Sequence, residues 1–261
     1  MNEVRKTGMG LASITYDPVP VLADFASRRS ITFPILSDAG SATIRKYGIL
    51  NTTTPETNPL FGYPLPGTFV LDQNGVVTSR VFEDTYQERD TIASVLVRLG
   101  GTVDAPATKS SAPHLDITSY LTDQIAAPGT HLSIVLDLVP GNKVHVYAPG
   151  VTGYKPIALT VQPQPGLVIR APQFPKPVDY FFKPLNEHVA VYDRPFRIVQ
   201  DVTIDPSRDA AAVLKDLKAM TISATLNYQA CDDTVCFNPQ AVPLSWALTL
   251  RPLDTERVKR Q

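Results

Sequence analysis

Residues 221–250 read TISATLNYQA CDDTVCFNPQ AVPLSWALTL, and this stretch decides the architecture of the second half of the chain. Apolar and polar residues alternate on both sides of the cysteines; the apolar sets are Ile222, Ala224, Leu226 and Tyr228 before them, and Val242, Leu244, Trp246, Leu248 and Leu250 after them. A period of two is typical of a strand with one buried face. The pattern therefore predicts two strands joined by a hairpin end that carries Cys231 and Cys236.

These two cysteines are the only ones in 261 residues, and three interpretations of the pair remain open. A structural disulfide across so short a loop stabilises the fold by only roughly 2 kcal/mol on the loop-closure argument. A metal site would need two more ligands, and none is expected, because zinc-finger spacing is not found among His114, His131, His145 and His188. A redox-active dithiol is favoured, since the chain places both of its cysteines in one loop.

Asp232 and Asp233 lie inside that loop and are expected to modulate its chemistry. Carboxylates beside a thiol disfavour its thiolate form, which is the reverse of what a self-sufficient nucleophile needs. We therefore expect an electron carrier that is attacked by the thiolate of a partner.

Composition excludes several classes of partner. The formal net charge of −1 provides no excess of positive charge that would attract nucleic acid, and no apolar run is long enough to span a bilayer. No cofactor is expected, and the partners are expected to be proteins or small molecules. The first ten residues show no secretory signal, so either the pair stays reduced in the cytosol or the true start lies upstream.

Two halves with different patterns divide the chain. Residues 1–100 alternate strand-like and helix-like segments, which predicts an α/β layer. Residues 101–113 are small, polar and interrupted by prolines, as in a linker. Residues 114–252 contain short strand candidates separated by turn residues, which predicts an all-β sandwich, and residues 253–261 form a polar tail.

The first half resembles redoxins of the alkyl hydroperoxide reductase and thiol-specific antioxidant type, which have a thioredoxin-like fold. The resemblance rests on PGTFVLDQNGVV at residues 66–77, together with ITYDP at 14–18 and FPILSD at 33–38. It implies a cis peptide at Pro66, facing the active-site cysteine. No cysteine precedes Cys231, so we expect an incomplete, fragmentary redoxin domain without peroxidase activity.

The second half resembles the N-terminal domain of DsbD thiol-disulfide interchange proteins, an immunoglobulin-like module of the bacterial periplasm. The matching residues are YQAC at 228–231, CFNP at 236–239 and VPLS at 242–245. The cysteine spacing is one residue shorter than in the best-known member, and Asn238 replaces a usual proline. The resemblance implies a periplasmic or extracytoplasmic location and a thioredoxin-fold partner.

In that family an aromatic cap loop shields the disulfide, and the resemblance assigns this role to Phe181 together with Tyr180 or Phe182. The alternative is that these three aromatic residues belong to the sandwich core, because consecutive strand residues point to opposite faces. His145, in the segment VHVY, is expected to be a half-exposed strand histidine without a role in binding.

The sequence thus predicts an incomplete α/β thioredoxin-like domain followed by an all-β immunoglobulin-like sandwich. The expected function is that of a thiol-disulfide oxidoreductase, in which Cys231 and Cys236 pass electrons through a mixed disulfide with a thioredoxin-fold partner. Two alternatives remain. One is a peroxiredoxin-type antioxidant protein whose catalytic cysteine lies outside this chain, and the other is a non-catalytic binding module with a structural disulfide.

Overall fold

The structure is a computed structural model that describes residues 4, 6–52, 55–58, 61–82, 87–182 and 186–253. Most of the expected polar tail, 253–261, lies outside the described residues. None of the helices in the described ranges combines the length and the apolar character that crossing a bilayer requires.

Four helices and eighteen strands are described. The helices are α1 (Val19–Arg28), α2 (Ala42–Lys46), α3 (Ile92–Arg98) and α4 (Arg208–Leu214). The strands up to residue 100 are β1 (Ser13–Thr15), β2 (Ile35–Ser37), β3 (Gly67–Leu71), β4 (Val77–Phe82) and β5 (Arg89–Asp90). The later strands are β6 (Thr108–Ala112), β7 (Leu115–Leu121), β8 (Ile125–Ala126), β9 (Thr130–Pro140), β10 (His145–Tyr147), β11 (Ala158–Val161), β12 (Leu167–Ile169), β13 (Val178–Phe182), β14 (Glu187–Tyr192), β15 (Phe196–Ile204), β16 (Ala219–Tyr228), β17 (Ala230–Cys231) and β18 (Gln240–Leu250).

The first half has the α/β character that the sequence predicts. Strands β1 and β2 pair in parallel, with α1 between them along the chain. Strands β3 and β4 pair antiparallel around a turn in which the Asp72 carboxylate accepts hydrogen bonds from the backbone N–H groups of Asn74 and Val76. Within the described residues these pairs form two separate two-stranded sheets. This architecture fits a fragment of a thioredoxin-like fold.

The geometry expected at Pro66 is not found. The described residues contain no cis peptide bond, so the peptide that joins Leu65 to Pro66 is trans. Pro66 nevertheless lies immediately before β3, as the resemblance to redoxins requires.

The second half is a β-sandwich. One sheet has the strand order β12-β15-β9-β7-β6, with β5 added at β9, and the other has the order β11-β16-β18-β8. Their facing residues share one core, which includes Leu132 and Ile134 of β9, Ile222 and Leu226 of β16, and Trp246 of β18. The alternation predicted for the hairpin is confirmed, because the predicted apolar faces of β16 and β18 line this core.

Helix α3 covers the outer face of the β12-to-β6 sheet. Val97 of the helix packs with Tyr120, Val135 and Val199 of β7, β9 and β15. The sequence places this helix in the first half, but its contacts are with the sandwich. The approach is close at Gly129, where φ is +83° and a Cβ atom would lie 2.2 Å from the carbonyl oxygen of Gln87. A side chain at residue 129 would therefore push the segment before α3 away from the sandwich.

Charged groups are buried beneath α3. Asp201 of β15 accepts a hydrogen bond from the Ser133 hydroxyl and lies 3.5 Å from the guanidinium of Arg98, which also pairs with Asp90. The His131 ring lies 3.6 Å from the Asp90 carboxylate and 3.7 Å from that of Asp201. Burial alone would raise the pKa of Asp201, but the bonds from His131 and Ser133 and the charge of Arg98 hold it below its ordinary value.

Two elements of the second half differ from expectation. The linker expected at 101–113 contains β6, which pairs along its whole length with β7, so its second part extends the sandwich. The half predicted to be all-β also contains a helix, since α4 forms between β15 and β16. Its N-cap is Ser207, whose side chain accepts a hydrogen bond from the N–H of Ala210, and its apolar side buries Leu214 in the core.

Replacing Asp201 by alanine should destabilise the sandwich by about 3–5 kcal/mol, because the buried Arg98 would lose a counter-charge and the Ser133 hydroxyl would lose its acceptor. Urea unfolding followed by fluorescence measures this, and Asp104→Ala is the matched control. Asp104 is highly exposed, and its ion pair with Lys6 at 3.3 Å should contribute little. Equal effects of the two substitutions would contradict the assignment of a stabilising role to the buried cluster.

The contribution of Asp201 should also depend on pH. Its pKa is depressed in the folded state, so its stabilisation is complete above the ordinary value of 3.8 and is lost as the pH falls through the folded-state pKa. The difference in unfolding free energy between the natural protein and Asp201→Ala should therefore be constant near neutral pH and shrink below about pH 4.

Candidate functional site

The cysteines lie where the chain passes from one sheet to another. The β16–β18 pairing ends at Tyr228 and Gln240, and the chain then enters β17. This short strand pairs with β10 of a third sheet, whose order is β13-β14-β10-β17, and Cys231 is in register with His145. The prediction that both cysteines lie at the end of a hairpin is confirmed, and the sheet change brings them beside side chains of β10 and β13.

A disulfide joins Cys231 to Cys236, with their Cα atoms 4.0 Å apart. Between them the carboxylate of Asp232 accepts hydrogen bonds from the backbone N–H groups of Thr234 at 2.7 Å and Val235 at 2.8 Å. The Thr234 hydroxyl donates to the same oxygen at 2.7 Å, and these bonds hold the pKa of Asp232 below its ordinary value. Asp232 therefore fixes the shape of the turn that holds the two cysteines together.

The two cysteines are buried to different extents. Cys231 is 1% exposed and packs with Tyr147, Val189 and Val191. Cys236 belongs to the exposed part of the loop. Both cysteines line an open cleft. A thiolate from solvent would meet Cys236 before Cys231, and attack at Cys236 would make Cys231 the leaving group.

Tyr147 places a hydroxyl on the disulfide. Its Oη donates to the Sγ of Cys231 at 3.2 Å and lies 3.4 Å from the Sγ of Cys236. Its ring stacks on Tyr154 with 4.1 Å between centroids, and Tyr154 donates to Glu187 at 3.0 Å. Burial, reinforced by Tyr154 and Glu187, raises the pKa of Tyr147 far above its ordinary value. Tyr147 therefore remains a hydrogen-bond donor to sulfur at any physiological pH.

The aromatic residues of β13 divide between the two faces of their sheet. Tyr180 and Phe182 line the cleft with the disulfide. Phe181 is 42% exposed and packs against His188, its partner on β14, with 4.9 Å between centroids. The structure thus brings two of the three expected shield residues to the cysteines and turns Phe181 away.

Tyr180 is tied to the cysteine loop. Its hydroxyl donates to the Asp233 carboxylate, and this bond, with burial and the Asp233 charge, raises the pKa of Tyr180 to about 12. The two residues expected to modulate the loop therefore have different contacts. Asp232 shapes the turn, whereas Asp233 connects the turn to β13.

His145 is buried at the site, although a half-exposed position was expected. Its side chain is 4% exposed, and its ring lies 5.5 Å from that of Tyr147 and 4.5 Å from that of Tyr180. Tyr147, Tyr154 and His145 were not among the predicted site residues. The alternation in VHVY at 144–147 contains the signal, because it places His145 and Tyr147 on one face of a strand.

The described residues contain no group of three or more histidine, cysteine, aspartate or glutamate side chains that could hold a metal ion. The disulfide itself can undergo exchange with an external thiol.

Two family models match the chain in tandem. Residues 1–80 match the AhpC/TSA family, and residues 119–244 match the N-terminal domain of the thiol:disulfide interchange protein DsbD. The predicted succession of a redoxin-like segment and a DsbD-like domain is confirmed. The matches leave out residues 81–118, which contain α3 and β6.

Solved structures with low identity resemble part of the chain. The N-terminal periplasmic domain of ScsB from Proteus mirabilis is 12% identical over 56% of this chain and 52% of its own, with a TM-score of 0.39. The GAE domain of GGA2p from Saccharomyces cerevisiae is 10% identical over 57% of this chain and 99% of its own, with a TM-score of 0.28. The chain thus spans about half the length of the ScsB domain. No curated protein matches the chain.

Replacing Tyr180 by alanine should speed reduction of the disulfide by a small thiol several-fold, because the ring covers the cleft and its hydroxyl holds Asp233. Phe181→Ala, on the opposite face of the same strand, is the matched control and should leave the rate unchanged. Stopped-flow measurement with dithiothreitol compares them. A faster reaction in Phe181→Ala alone would show that the shield is the residue assigned from the sequence.

Replacing Tyr147 by phenylalanine should slow the same reduction about tenfold, because the leaving sulfur of Cys231 loses a hydrogen bond that strengthens as negative charge develops on it. Tyr154→Phe is the control, since it preserves the stacked ring and removes a hydroxyl that bonds to Glu187. Rates of thiol exchange at fixed pH provide the measurement. Equal rates for both variants would contradict a role of the Tyr147 hydroxyl in the reaction.

Proposed function

We propose that this chain carries out thiol-disulfide exchange, with Cys231 and Cys236 cycling between disulfide and dithiol. The observation that carries the proposal is the asymmetric disulfide, in which an accessible Cys236 is bonded to a buried Cys231 that accepts a hydrogen bond from Tyr147. The match of residues 119–244 to the DsbD N-terminal domain supports the same chemistry.

The exchange proceeds in two displacements. A partner thiolate attacks the Sγ of Cys236, the disulfide bond breaks, and its electron pair leaves on Cys231, which becomes a thiolate. A second thiolate of the partner then attacks the partner's own sulfur in the mixed disulfide, and Cys236 leaves as a thiolate. The Cys231–Cys236 pair is thereby reduced by two electrons, and the partner dithiol is oxidised to a disulfide. The reverse sequence passes the electrons onward.

The partner is proposed to be a thioredoxin-fold protein or domain with a pair of cysteines. Such a partner can resolve its own mixed disulfide, whereas a lone thiol would leave the complex covalently joined. The family models support this pairing, because a DsbD-like domain follows a segment of the thioredoxin-like AhpC/TSA type in the same chain.

The reaction is proposed to take place in the bacterial periplasm. Disulfides persist in oxidising compartments, and the DsbD match points to a protein of that location. The ScsB domain is likewise described as periplasmic.

The proposal is tested by trapping a mixed disulfide. Cys231→Ser leaves Cys236 accessible with no resolving thiol beside it. Cys236 is first converted to its mixed disulfide with thionitrobenzoate, and the thiolate of a thioredoxin whose second active-site cysteine is replaced by serine should then displace thionitrobenzoate and form a stable covalent complex. Cys236→Ser is the matched control and should trap much less, because its remaining thiol is buried. Non-reducing electrophoresis and mass spectrometry identify the complex.

The midpoint potential of the natural disulfide provides an independent measurement. Alkylation after equilibration in graded dithiol buffers should yield a value in the range of exchange proteins, roughly −120 to −270 mV. A value far below about −300 mV, together with no trapped complex, would favour a static disulfide in a binding module.

A further inference from the structure

His145 is placed beside the sulfur that leaves during the proposed exchange. It lies directly opposite Cys231 in the antiparallel pair of β10 and β17. Opposite residues in such a pair point to the same face, with Cβ atoms about 4.5–5.5 Å apart. Tyr147, two residues further along β10, lies on this face and bonds to the Cys231 sulfur. Cys231 is therefore bordered by one imidazole and one phenol.

The surroundings of His145 are aromatic and acidic. The ring of Tyr147, on the same strand β10, and the ring of Tyr180, on β13, both lie next to the His145 ring. Three carboxylates act on its charge, namely those of Asp232 and Asp233 in the cysteine loop and that of Asp193 after β14. Burial is the largest influence and lowers the pKa of His145, although the carboxylates oppose it. In the oxidised protein the imidazole is therefore neutral at pH 7.

We propose that His145 is a proton-binding partner of Cys231, which takes up a proton when the disulfide is reduced and returns it when the disulfide re-forms. This inference rests on the proposed exchange function and adds a residue to it. On reduction the electron pair of the broken S–S bond stays on Cys231. A proton from solvent then binds the neutral imidazole, and the resulting imidazolium pairs with the thiolate.

The reverse step is balanced in the same way. When the Cys231 thiolate attacks the mixed disulfide at Cys236 to restore the S–S bond, its negative charge is consumed and the partner leaves as a thiolate. The imidazolium then loses the group that favoured its charge, and its proton returns to solvent. The redox state of the disulfide and the protonation of His145 are thus linked.

The direct test compares the titration of His145 in the two redox states of the full chain. The chain has four histidines, so their ring resonances can be followed by NMR and assigned with His145→Gln and His188→Gln. In the oxidised protein His145 should titrate below the ordinary histidine value. After reduction with excess phosphine its pKa should rise. An unchanged or lower pKa of His145 after reduction would overturn the inference.

A second measurement follows the rate of reduction by dithiothreitol across pH 5–8, divided by the thiolate fraction of the reagent. A protonated His145 stabilises the departing Cys231 thiolate, so this corrected rate should rise as the pH falls through the pKa of His145 in the oxidised protein. The rise should vanish in His145→Gln and persist in His188→Gln. A purely structural role would change the rate equally at every pH.

The two proposals can fail separately. Absence of the trapped complex and a midpoint too low for exchange would remove the function, while the NMR comparison on chemically reduced protein would still decide the proton linkage. Conversely, an identical His145 titration in both states would overturn the linkage even if exchange with the partner is efficient. If His145→Gln does not fold, the comparison of redox states in the natural protein still decides the question.

Discussion

The pairing of β17 with β10 is the constraint on which the site depends. It turns the chain out of the β16–β18 hairpin and into the four-stranded sheet of β13, β14, β10 and β17. All the side chains that this sheet contributes to the site then lie on one of its faces, because the register brings alternate residues of adjacent strands together. These residues are Tyr180, Phe182, Val189, Val191, Tyr147, His145 and Cys231. A shift of register by one residue would replace all of them with residues of the opposite face, such as Phe181 and His188.

The chemistry of this face follows from its neutral donors. Tyr147, held protonated by burial, supplies a hydrogen bond to sulfur without placing a permanent charge beside the disulfide. Negative charge appears there only when the S–S bond breaks, and the hydroxyl dipole is then oriented to stabilise it. The acidic groups of the loop are occupied elsewhere, since Asp232 bonds to its own turn and Asp233 accepts from Tyr180. The acidic loop thus provides shape and cover for the disulfide.

The sequence predicts the hairpin and the cysteine pair well, because both depend on local information. Alternation identifies β16 and β18, and the scarcity of cysteine identifies the site. The cross-sheet partners could not be predicted with the same rules. Tyr147 and His145 reach the disulfide through a pairing of residues far apart in the chain, and periodicity does not specify which strands become neighbours. The packing of α3 on the sandwich could not be predicted for the same reason, since only the contacts of Val97 show which sheet the helix covers. Alternation along β13 predicts that Phe181 points away from the face of Tyr180 and Phe182. It does not predict which of the two faces is turned toward the disulfide, because that depends on the pairing of β13 with β14.

A disulfide between residues five positions apart adds little to the stability of the fold, and the present one has features that a purely stabilising disulfide does not need. The strands beside it are already joined by the long β16–β18 ladder, so closing this loop removes little additional freedom from the unfolded chain. A static bond would also be as stable with both sulfurs buried, whereas here one sulfur is buried against hydrogen-bonding side chains and its partner is part of an exposed turn. In the proposed exchange, this asymmetry would direct an incoming thiolate to Cys236 and leave the negative charge on Cys231. In that exchange the local packing of Cys231 would matter more for reactivity than for stability, because Tyr147 bonds to the sulfur that would receive the charge.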